Sequence, residues 1–316
     1  MKRMDLKAYA KINLAIDVLG KLPSGYHEVA MIMQKIELHD KICVKWIPKQ
    51  NDSPAFAQFV QCADSEEPGI EIEINSNKRF LPRDRRNLTY RAAELMIDKF
   101  DIIKRFGDGT VRIDIKKQIP VGAGLGGGST DCAAVIHALS KIWSLELNTA
   151  KLCEIGATLG SDVPFCITAR PGRSAALAEG SGTKLTPIRG VDMWLVLSKP
   201  PISVSTEEVY KGFGALEDKN FERPNIKELI QGMEEKKSEL IVKNIINVLE
   251  NVTLKRYASA MYTKNKITTE TAPVKAVMSG SGATIIGFYN DKQSAEEAYD
   301  KLSTLNKETY LTKTLI

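Results

Sequence analysis

Residues 120–131, Pro-Val-Gly-Ala-Gly-Leu-Gly-Gly-Gly-Ser-Thr-Asp, place five glycines within seven positions of this 316-residue chain. Each glycine loses more backbone freedom on folding than any other residue would, so this density needs a physical reason. Consecutive backbone N–H groups in a tight loop, followed by the partial positive charge of a helix N-terminus, form a site for phosphate. The stretch therefore predicts a nucleotide or phosphoester site.

The residues on either side of the glycine stretch indicate which secondary-structure elements flank it. Residues 110–116 alternate apolar and polar side chains, which is typical of a half-buried strand. From Cys132 to Trp143, apolar residues recur at three- and four-residue spacing and predict one apolar helix face. Ser129 or Thr130 is the expected N-cap of that helix. Residues 144–160 favour a second helix, with Thr149 as its N-cap.

Three phosphate-binding loops with known sequence patterns provide alternatives. A Walker A loop needs a lysine after its last glycine, and here Ser129 follows Gly128 directly. Gly122, Gly124 and Gly127 satisfy G-x-G-x-x-G, but a dinucleotide fold needs a parallel strand soon after the helix. A protein-kinase loop requires V-A-I-K and H-R-D segments, which the sequence lacks. A glycine-rich turn without a ligand is the remaining alternative.

The pattern Pro-x-Gly-x-Gly-Leu-Gly-Gly-Gly-Ser-Thr-Asp-x-Ala-Ala resembles the central ATP motif of the GHMP kinases, which include galactose, homoserine, mevalonate and phosphomevalonate kinases. Residues 8–14, Ala-Tyr-Ala-Lys-Ile-Asn-Leu, resemble the first motif of the family, and residues 278–284, Met-Ser-Gly-Ser-Gly-Ala-Thr, resemble the third. Gly-Tyr-His-Glu at 25–28 and Leu-Gly-Ser-Asp-Val-Pro-Phe at 159–165 resemble the branch whose acceptor alcohol carries a cytidine diphosphate. The resemblance extends along nearly the whole chain.

The resemblance implies an α+β fold with the two-domain GHMP kinase architecture. Residues 1–168 are expected to form an ATP-binding domain similar to ribosomal protein S5 domain 2. Residues 169–316 are expected to form a ferredoxin-like domain, with the substrate cleft between the two. Within the first domain, residues 6–47 favour extended segments with turns at 20–25 and around Asp40, and residues 48–69 suggest an irregular insertion.

The resemblance also implies how ATP and Mg²⁺ are held. The backbone of the loop is expected to contact the phosphates, with Ser129 or Thr130 adding a hydroxyl or reaching Mg²⁺. Asp131 is open to two interpretations: a partner of Mg²⁺ or of a lysine, or a plain residue of the first helical turn. The expected ATP-binding residues are Pro120, Val121, Gly122, Ala123, Gly124, Leu125, Gly126, Gly127, Gly128, Ser129 and Thr130.

Catalytic and acceptor-binding residues follow from the other matched segments. Asp162 lies in a short turn before Pro164, and by resemblance it is the general base that takes the proton of the acceptor hydroxyl. Lys11, a charge within an apolar alternating strand, is expected beside Asp162, where it keeps that carboxylate ionised. Asn13 shares a strand face with Lys11 and is expected to bind the acceptor.

The acceptor's cytosine is expected to meet three side chains. By resemblance, Tyr26 stacks on the ring and His27 reads its edge, since imidazole offers both a donor and an acceptor. The segment at 176–180 places Leu177 where the far face of the base is expected.

Composition is consistent with an enzyme that acts on a small molecule. The chain is 43% hydrophobic and 26% charged, and its net charge of +5 accompanies no known nucleic-acid-reading motif. Five cysteines without C-x-x-C spacing argue against a disulfide framework or a zinc site. No signal peptide or membrane-spanning run is found, which predicts a cytoplasmic protein. Another GHMP kinase, of the homoserine or mevalonate type, and a non-catalytic nucleotide-binding module are the alternative functions.

Overall fold

A computed structural model describes residues 1–23, 25–49, 69–218 and 220–316. Strands and helices are interleaved along the chain, as an α+β protein requires. The strands are β1 (Lys2–Lys21), β2 (His27–Pro48), β3 (Ile70–Ser76), β4 (Gly109–Lys116), β5 (Ala175–Gly180), β6 (Lys184–Ile188), β7 (Trp194–Lys199), β8 (Lys275–Met278), β9 (Ile285–Tyr289) and β10 (Glu308–Lys313). The helices are α1 (Leu88–Lys99), α2 (Ile102–Phe106), α3 (Gly127–Ile142), α4 (Thr149–Ala157), α5 (Val163–Thr168), α6 (Thr206–Gly214), α7 (Ile226–Glu235), α8 (Ser238–Asn244), α9 (Glu250–Arg256), α10 (Ala258–Glu270) and α11 (Lys292–Leu305).

The first sheet is organised around the long strand β2. On one side β2 pairs antiparallel with β1 along nearly its whole length. On the other side its first half pairs with β5 and its second half with β4, which in turn pairs in parallel with β3. The hairpin strand β6 closes the sheet beside β5. Because β1 carries Lys11 and β2 begins at His27, two predicted site segments are fixed by this one pairing.

The second sheet has four strands in the order β10-β7-β9-β8, all of them antiparallel. Helices α10 and α11 pack against it, with Ile267, Ala298 and Leu302 buried at the contact. Buried apolar residues lie on both faces of the central strands β7 and β9, since neighbouring residues such as Val196 and Leu197 belong to different apolar clusters. The arrangement agrees with the ferredoxin-like domain that the resemblance implied.

Several predictions of local structure are confirmed and three are wrong. The strand at 110–116 and the helix that carries the apolar face from Cys132 onward are present as β4 and α3. Helix α3 does not use Ser129 or Thr130 as its N-cap; it begins at Gly127 after Gly126, which has a φ of 67°. Asn148, not Thr149, caps α4, its side chain accepting from the backbone N–H of Lys151.

Asp40 is the third correction, because β2 continues through it without a turn. The carboxylate of Asp40 is fully buried, where it accepts hydrogen bonds from a lysine and from two backbone N–H groups. An aspartate in a turn satisfies its own neighbouring backbone, whereas this one satisfies a distant segment. That partner is invisible to a local reading of the sequence.

The domain boundary expected at 168/169 stays a prediction. Strands β5 and β6, which follow it in the chain, hydrogen-bond to the first sheet, and the second sheet starts at β7. The predicted irregular insertion at 48–69 lies almost entirely outside the described residues. Within the described parts of the chain, no helix combines the length and apolar character needed to cross a bilayer.

Candidate active site

Two glycine turns, distant in sequence, pack against each other backbone to backbone. The hydroxyl of Ser279 donates to the carbonyl oxygen of Gly124 at 3.0 Å. A Cβ added to Gly124, whose φ is 72°, would lie 2.1 Å from the carbonyl oxygen of Ser279. Real Cβ atoms do not approach that closely, so glycine is required here. The turn at 278–284 thus packs directly against the glycine loop and supports it.

Lys11 contacts the same glycine loop at Leu125 and Gly126. Its backbone N–H donates to the carbonyl of Leu125 at 3.0 Å. A Cβ on Gly126 would lie 2.8 Å from Cγ of Lys11. Gly126 therefore allows the lysine of β1 to lie directly against the start of α3. The helix N-terminus, with its unpaired N–H groups, and the lysine ammonium thus contribute positive charge to the same region.

Lys11 reaches the side chains of Asp162 and Asn13. The Nζ of Lys11 lies 3.3 Å from Oδ2 of Asp162 and donates to Oδ1 of Asn13 at 2.8 Å. Lys11 is buried, with 5% of its surface exposed, whereas the Asp162 side chain is 28% exposed. Asp162 precedes α5, whose first turn includes Pro164. The arrangement presents a partly exposed carboxylate beside a buried cation.

A second buried cluster anchors the strand that leads into the glycine loop. Lys117 Nζ donates to Oδ2 of Asp40 at 2.5 Å and to Oδ2 of Asp131 at 2.7 Å. Oδ1 of Asp40 accepts from the backbone N–H groups of Gln118 and Ile119 at 2.5 and 2.8 Å. Of the two interpretations of Asp131, the structure shows the lysine partner.

The Asp131 carboxyl is poorly compensated in this cluster. The single charge of Lys117 is shared between two carboxyl groups, and Oδ1 of Asp131 is buried without a hydrogen-bond partner among the described residues. Burial and the nearby Asp40 together raise the pKa of Asp131 to about 8, against the opposing effect of Lys117. The cluster therefore favours the protonated form of Asp131 more than water would.

Aromatic side chains gather where β2 begins. The rings of His27 and Tyr210, the latter from α6, have centroids 5.2 Å apart at an interplanar angle of 37°. Tyr26 is 67% exposed beside them. Burial and the charge of Lys21 lower the pKa of His27 below its usual value, so the imidazole is neutral at pH 7. Burial also raises the pKa of Tyr210, which stays protonated.

These features line one cleft of about 1000 Å³. Three groups of residues line this cleft. They are the glycine loop with Leu88 of α1, the pair of Lys11 and Asp162, and the aromatic group of Tyr26, His27 and Tyr210. Of the predicted residues, the cleft is lined by Lys11, Asn13, Tyr26, His27, Asp162 and every residue from Pro120 to Ser129. Thr130 is buried outside it and donates its hydroxyl to the carbonyl of Tyr9.

Leu177 does not meet this cleft, so the expectation for the far face of the base is wrong. Leu177 pairs with Ile32 in the β2–β5 ladder and packs against a buried apolar cluster. Tyr210 lies at the aromatic end of the cleft instead. The predicted site thus gains an aromatic ring where an aliphatic side chain was expected.

Sequence reasoning missed the residues that α6 contributes. Thr206, Glu207, Tyr210 and Lys211 line the cleft, and the Thr206 hydroxyl lies 2.9 Å from that of Ser281 in the second glycine turn. Thr206 and Tyr210 are four residues apart and so lie on one helix face. That spacing was the only local signal, and it does not distinguish a cleft from an apolar core.

Comparison with known proteins agrees with this geometry. The family models described as "GHMP kinases N terminal domain" and "GHMP kinases C terminal" match residues 87–170 and 219–308. The chain is 39% identical over 310 residues to a protein of Clostridium botulinum (strain Loch Maree / Type A3) named 4-diphosphocytidyl-2-C-methyl-D-erythritol kinase, covering 98% of this chain and 99% of the relative. A protein of the same name from strain Alaska E43 / Type E3 is 40% identical over 315 residues, which cover 99% of this chain and all of the relative.

A solved structure is similar over the same extent. The crystal structure of a 4-(cytidine 5'-diphospho)-2C-methyl-D-erythritol kinase superposes with a TM-score of 0.76 at 25% identity, covering 99% of this chain and 100% of the other. Family models, relatives and fold therefore point to the same group of proteins, which is also the group that the three motifs of the sequence resemble. The chain belongs to the GHMP kinase family.

Proposed function

We propose that this protein transfers the γ-phosphoryl group of ATP to the 2-hydroxyl of 4-diphosphocytidyl-2-C-methyl-D-erythritol, a step of non-mevalonate isoprenoid precursor synthesis. Relatives with that name share 39–40% identity with the chain over its whole length. The observation that carries the proposal is the Lys11–Asp162 pair, 3.3 Å apart, in a cleft that also contains the glycine loop and the aromatic group. Phosphoryl transfer needs the donor positioned, its charge neutralised and the acceptor hydroxyl activated.

Asp162 is the general base of this mechanism. Its partly exposed carboxylate accepts the proton of the acceptor hydroxyl as the hydroxyl oxygen attacks phosphorus. Lys11 orients that carboxylate and adds positive charge where negative charge spreads over the transferring oxygens. Asn13 accepts from Lys11 through its Oδ1 and donates one N–H of its amide to the sulfur of Met31 at 3.7 Å, so its second N–H is the one that the acceptor would use.

ATP is the phosphoryl donor and lies against the glycine loop. The backbone N–H groups of residues 122–129 and the N-terminus of α3 suit the triphosphate because they supply fixed partial positive charge. Ser129 lines the cleft, whereas Thr130 is buried and donates its hydroxyl to Tyr9, which favours Ser129 as the polar side chain on the phosphate side. Mg²⁺ bound with ATP would neutralise phosphate charge, and the Ser129 hydroxyl is the side-chain group of this loop that fits it.

The aromatic group binds the cytidine end of the acceptor. A flat heterocycle stacks well on Tyr26 and Tyr210, and the neutral imidazole of His27 offers one donor and one acceptor to the edge of the base. Lys21 and Lys211 line the same part of the cleft and suit the diphosphate that joins the base to the methylerythritol. Homoserine and mevalonate have no group that would use these side chains.

The proposal is tested by measuring ADP release with ATP and the cytidylated methylerythritol, in wild type and in Asp162→Asn. We expect turnover by the wild type and a loss of about 10²- to 10⁴-fold in kcat in the variant, the usual effect of removing a general base. The Kd for ATP should stay within about threefold, since the loop is unchanged.

Asp114→Asn is a matched control. Asp114 is also a partly exposed carboxylate paired with a lysine, Lys45, but it lies outside the cleft. Its kcat should equal that of the wild type. Activity on homoserine or mevalonate without activity on the cytidylated substrate would overturn the choice of acceptor. An unimpaired Asp162→Asn enzyme would overturn the general base.

A further inference from the structure

Lys35 is a buried cation that the proposed chemistry does not use. Only 4% of its surface is exposed, and among the described residues no carboxylate lies within 4.0 Å of its ammonium group. Burying an ammonium without a counter-charge is unfavourable, and burial accordingly lowers the pKa of Lys35. The neighbouring thiol of Cys166 supplies no counter-charge at neutral pH, because burial raises its pKa to about 11.

Lys35 lies directly opposite Lys11 in the pairing of β1 with β2. Its backbone N–H donates to Ser174, and its carbonyl accepts from Leu315, so the two lysines share no ladder hydrogen bond. Side chains are closest at such positions of an antiparallel pair. Two like charges facing each other across a sheet are unfavourable, and both are buried here. A favourable interaction elsewhere must therefore offset the cost of burying these two lysines side by side.

Both lysines act on the segment that carries the general base. Lys11 lies beside the carboxylate of Asp162, just before α5, and Lys35 Nζ donates to the carbonyl oxygen of Cys166 at 2.9 Å, within α5. The backbone N–H of Cys166 in turn donates to the carbonyl of Asp162 at 3.1 Å. A cation beside a free carbonyl in the last turn of a helix is favourable. Adjacent strands thus hold the two ends of one helical turn.

We infer that Lys35 is a positioning residue, which fixes α5 against β2 and so keeps the Asp162 carboxylate aligned beside Lys11 for proton transfer. The inference rests on the proposed function, since it assigns Lys35 an effect on the step that Asp162 performs. Lys35 does not touch the cleft, so its removal should leave nucleotide binding intact.

The test compares Lys35→Met with Lys199→Met. Lys199 is an equally buried lysine, 6% exposed, but it pairs with Glu308 in the second sheet, away from the cleft. In Lys35→Met we expect kcat to fall about 10- to 100-fold, the range for a slightly misplaced catalytic group, with the KM for ATP within about twofold. Lys199→Met should leave both constants unchanged.

Hydrogen exchange provides a readout that does not depend on the substrate. The amide hydrogens of Val163 and of residues 165–169 should exchange at least about tenfold faster in Lys35→Met than in wild type, since the hydrogen bond that holds α5 is lost. The same amides should be unaffected in Lys199→Met. Unchanged exchange in Lys35→Met would overturn the inference, even if the wild type proved inactive on the proposed acceptor and the proposed function itself failed.

A double variant separates positioning from an independent structural effect. If Lys35 acts through Asp162, Lys35→Met in the Asp162→Asn background should lower kcat by no more than about twofold beyond Asp162→Asn alone. Losses that multiply fully would show that Lys35 acts independently of the base and would also overturn the inference.

Discussion

Replacing Gly124 by alanine tests whether the two glycine turns must touch. The added Cβ would lie 2.1 Å from the carbonyl oxygen of Ser279 and 3.2 Å from that of Gly282. Both neighbours are backbone atoms, so neither can rotate away as a side chain would. We expect the two turns to separate, which displaces the glycine loop and raises the KM for ATP by at least about tenfold.

The size of the effect follows from two contributions. Alanine at a φ of 72° costs about 1–2 kcal/mol, because its Cβ crowds the following carbonyl. Overpacking a rigid contact adds about 1–3 kcal/mol. At about 2 °C per kcal/mol for a chain of this size, Gly124→Ala should lower the Tm by about 4–10 °C.

Gly107→Ala isolates the first contribution. Gly107 has a φ of 73° and a ψ of −166°, a region that costs alanine about 1–3 kcal/mol, but nothing among the described residues lies within 4 Å of its added Cβ. This variant should lose about 2–6 °C in Tm from backbone strain alone and keep its KM for ATP. Thermal unfolding and ATP saturation kinetics on both variants decide the matter. If Gly124→Ala matched Gly107→Ala in both quantities, the contact between the turns would be irrelevant to nucleotide binding.

Two further predictions concern pH. Because the pKa of His27 is lowered, we expect the KM for the acceptor to be constant from pH 8 to 7 and to rise only as acid protonates the imidazole; His27→Gln should abolish that rise. If the KM of the wild type and that of His27→Gln changed with pH in the same way, His27 would not bind the edge of the base. The folded-state pKa of Asp131, about 8, lies above its unfolded value, so its contribution to stability is fully present below about pH 4 and is lost as the pH rises through 8. Unfolding of the wild type should therefore become easier from pH 5 to 8, by at most about 1.4 kcal/mol per pH unit, and Asp131→Asn should flatten this dependence; parallel stability profiles of the two proteins would refute the assignment.

Local patterns in the sequence were sufficient for much of the fold. The alternation at 110–116 and the helical spacing after Cys132 predicted β4 and α3, because each pattern reflects one element facing one core. Element boundaries were less certain, since α3 begins inside the glycine stretch and β2 continues through Asp40. In both cases the deciding contact comes from a distant part of the chain.

The sequence by itself determined that a glycine loop lies between a strand and a helix, and its motifs identified the family. Only the tertiary structure decided why two of the glycines are required. At Gly124 and Gly126 the nearest obstacles to a side chain are Ser279 and Lys11, which are parts of the protein itself. The sequence suggested that these glycines make room for a ligand. The structure shows that they make room for other parts of the protein.

The same distinction applies to the candidate site. Three contacts of the site join different parts of the chain: the ring of Tyr210 with that of His27, Lys117 with Asp131, and Lys35 with α5. Periodicity records which face of an element is apolar, but not which element will pack against it. The sequence therefore supplied the residue types for phosphoryl transfer, and the packing of β1, β2, α5 and α6 decided which of them meet in one cleft.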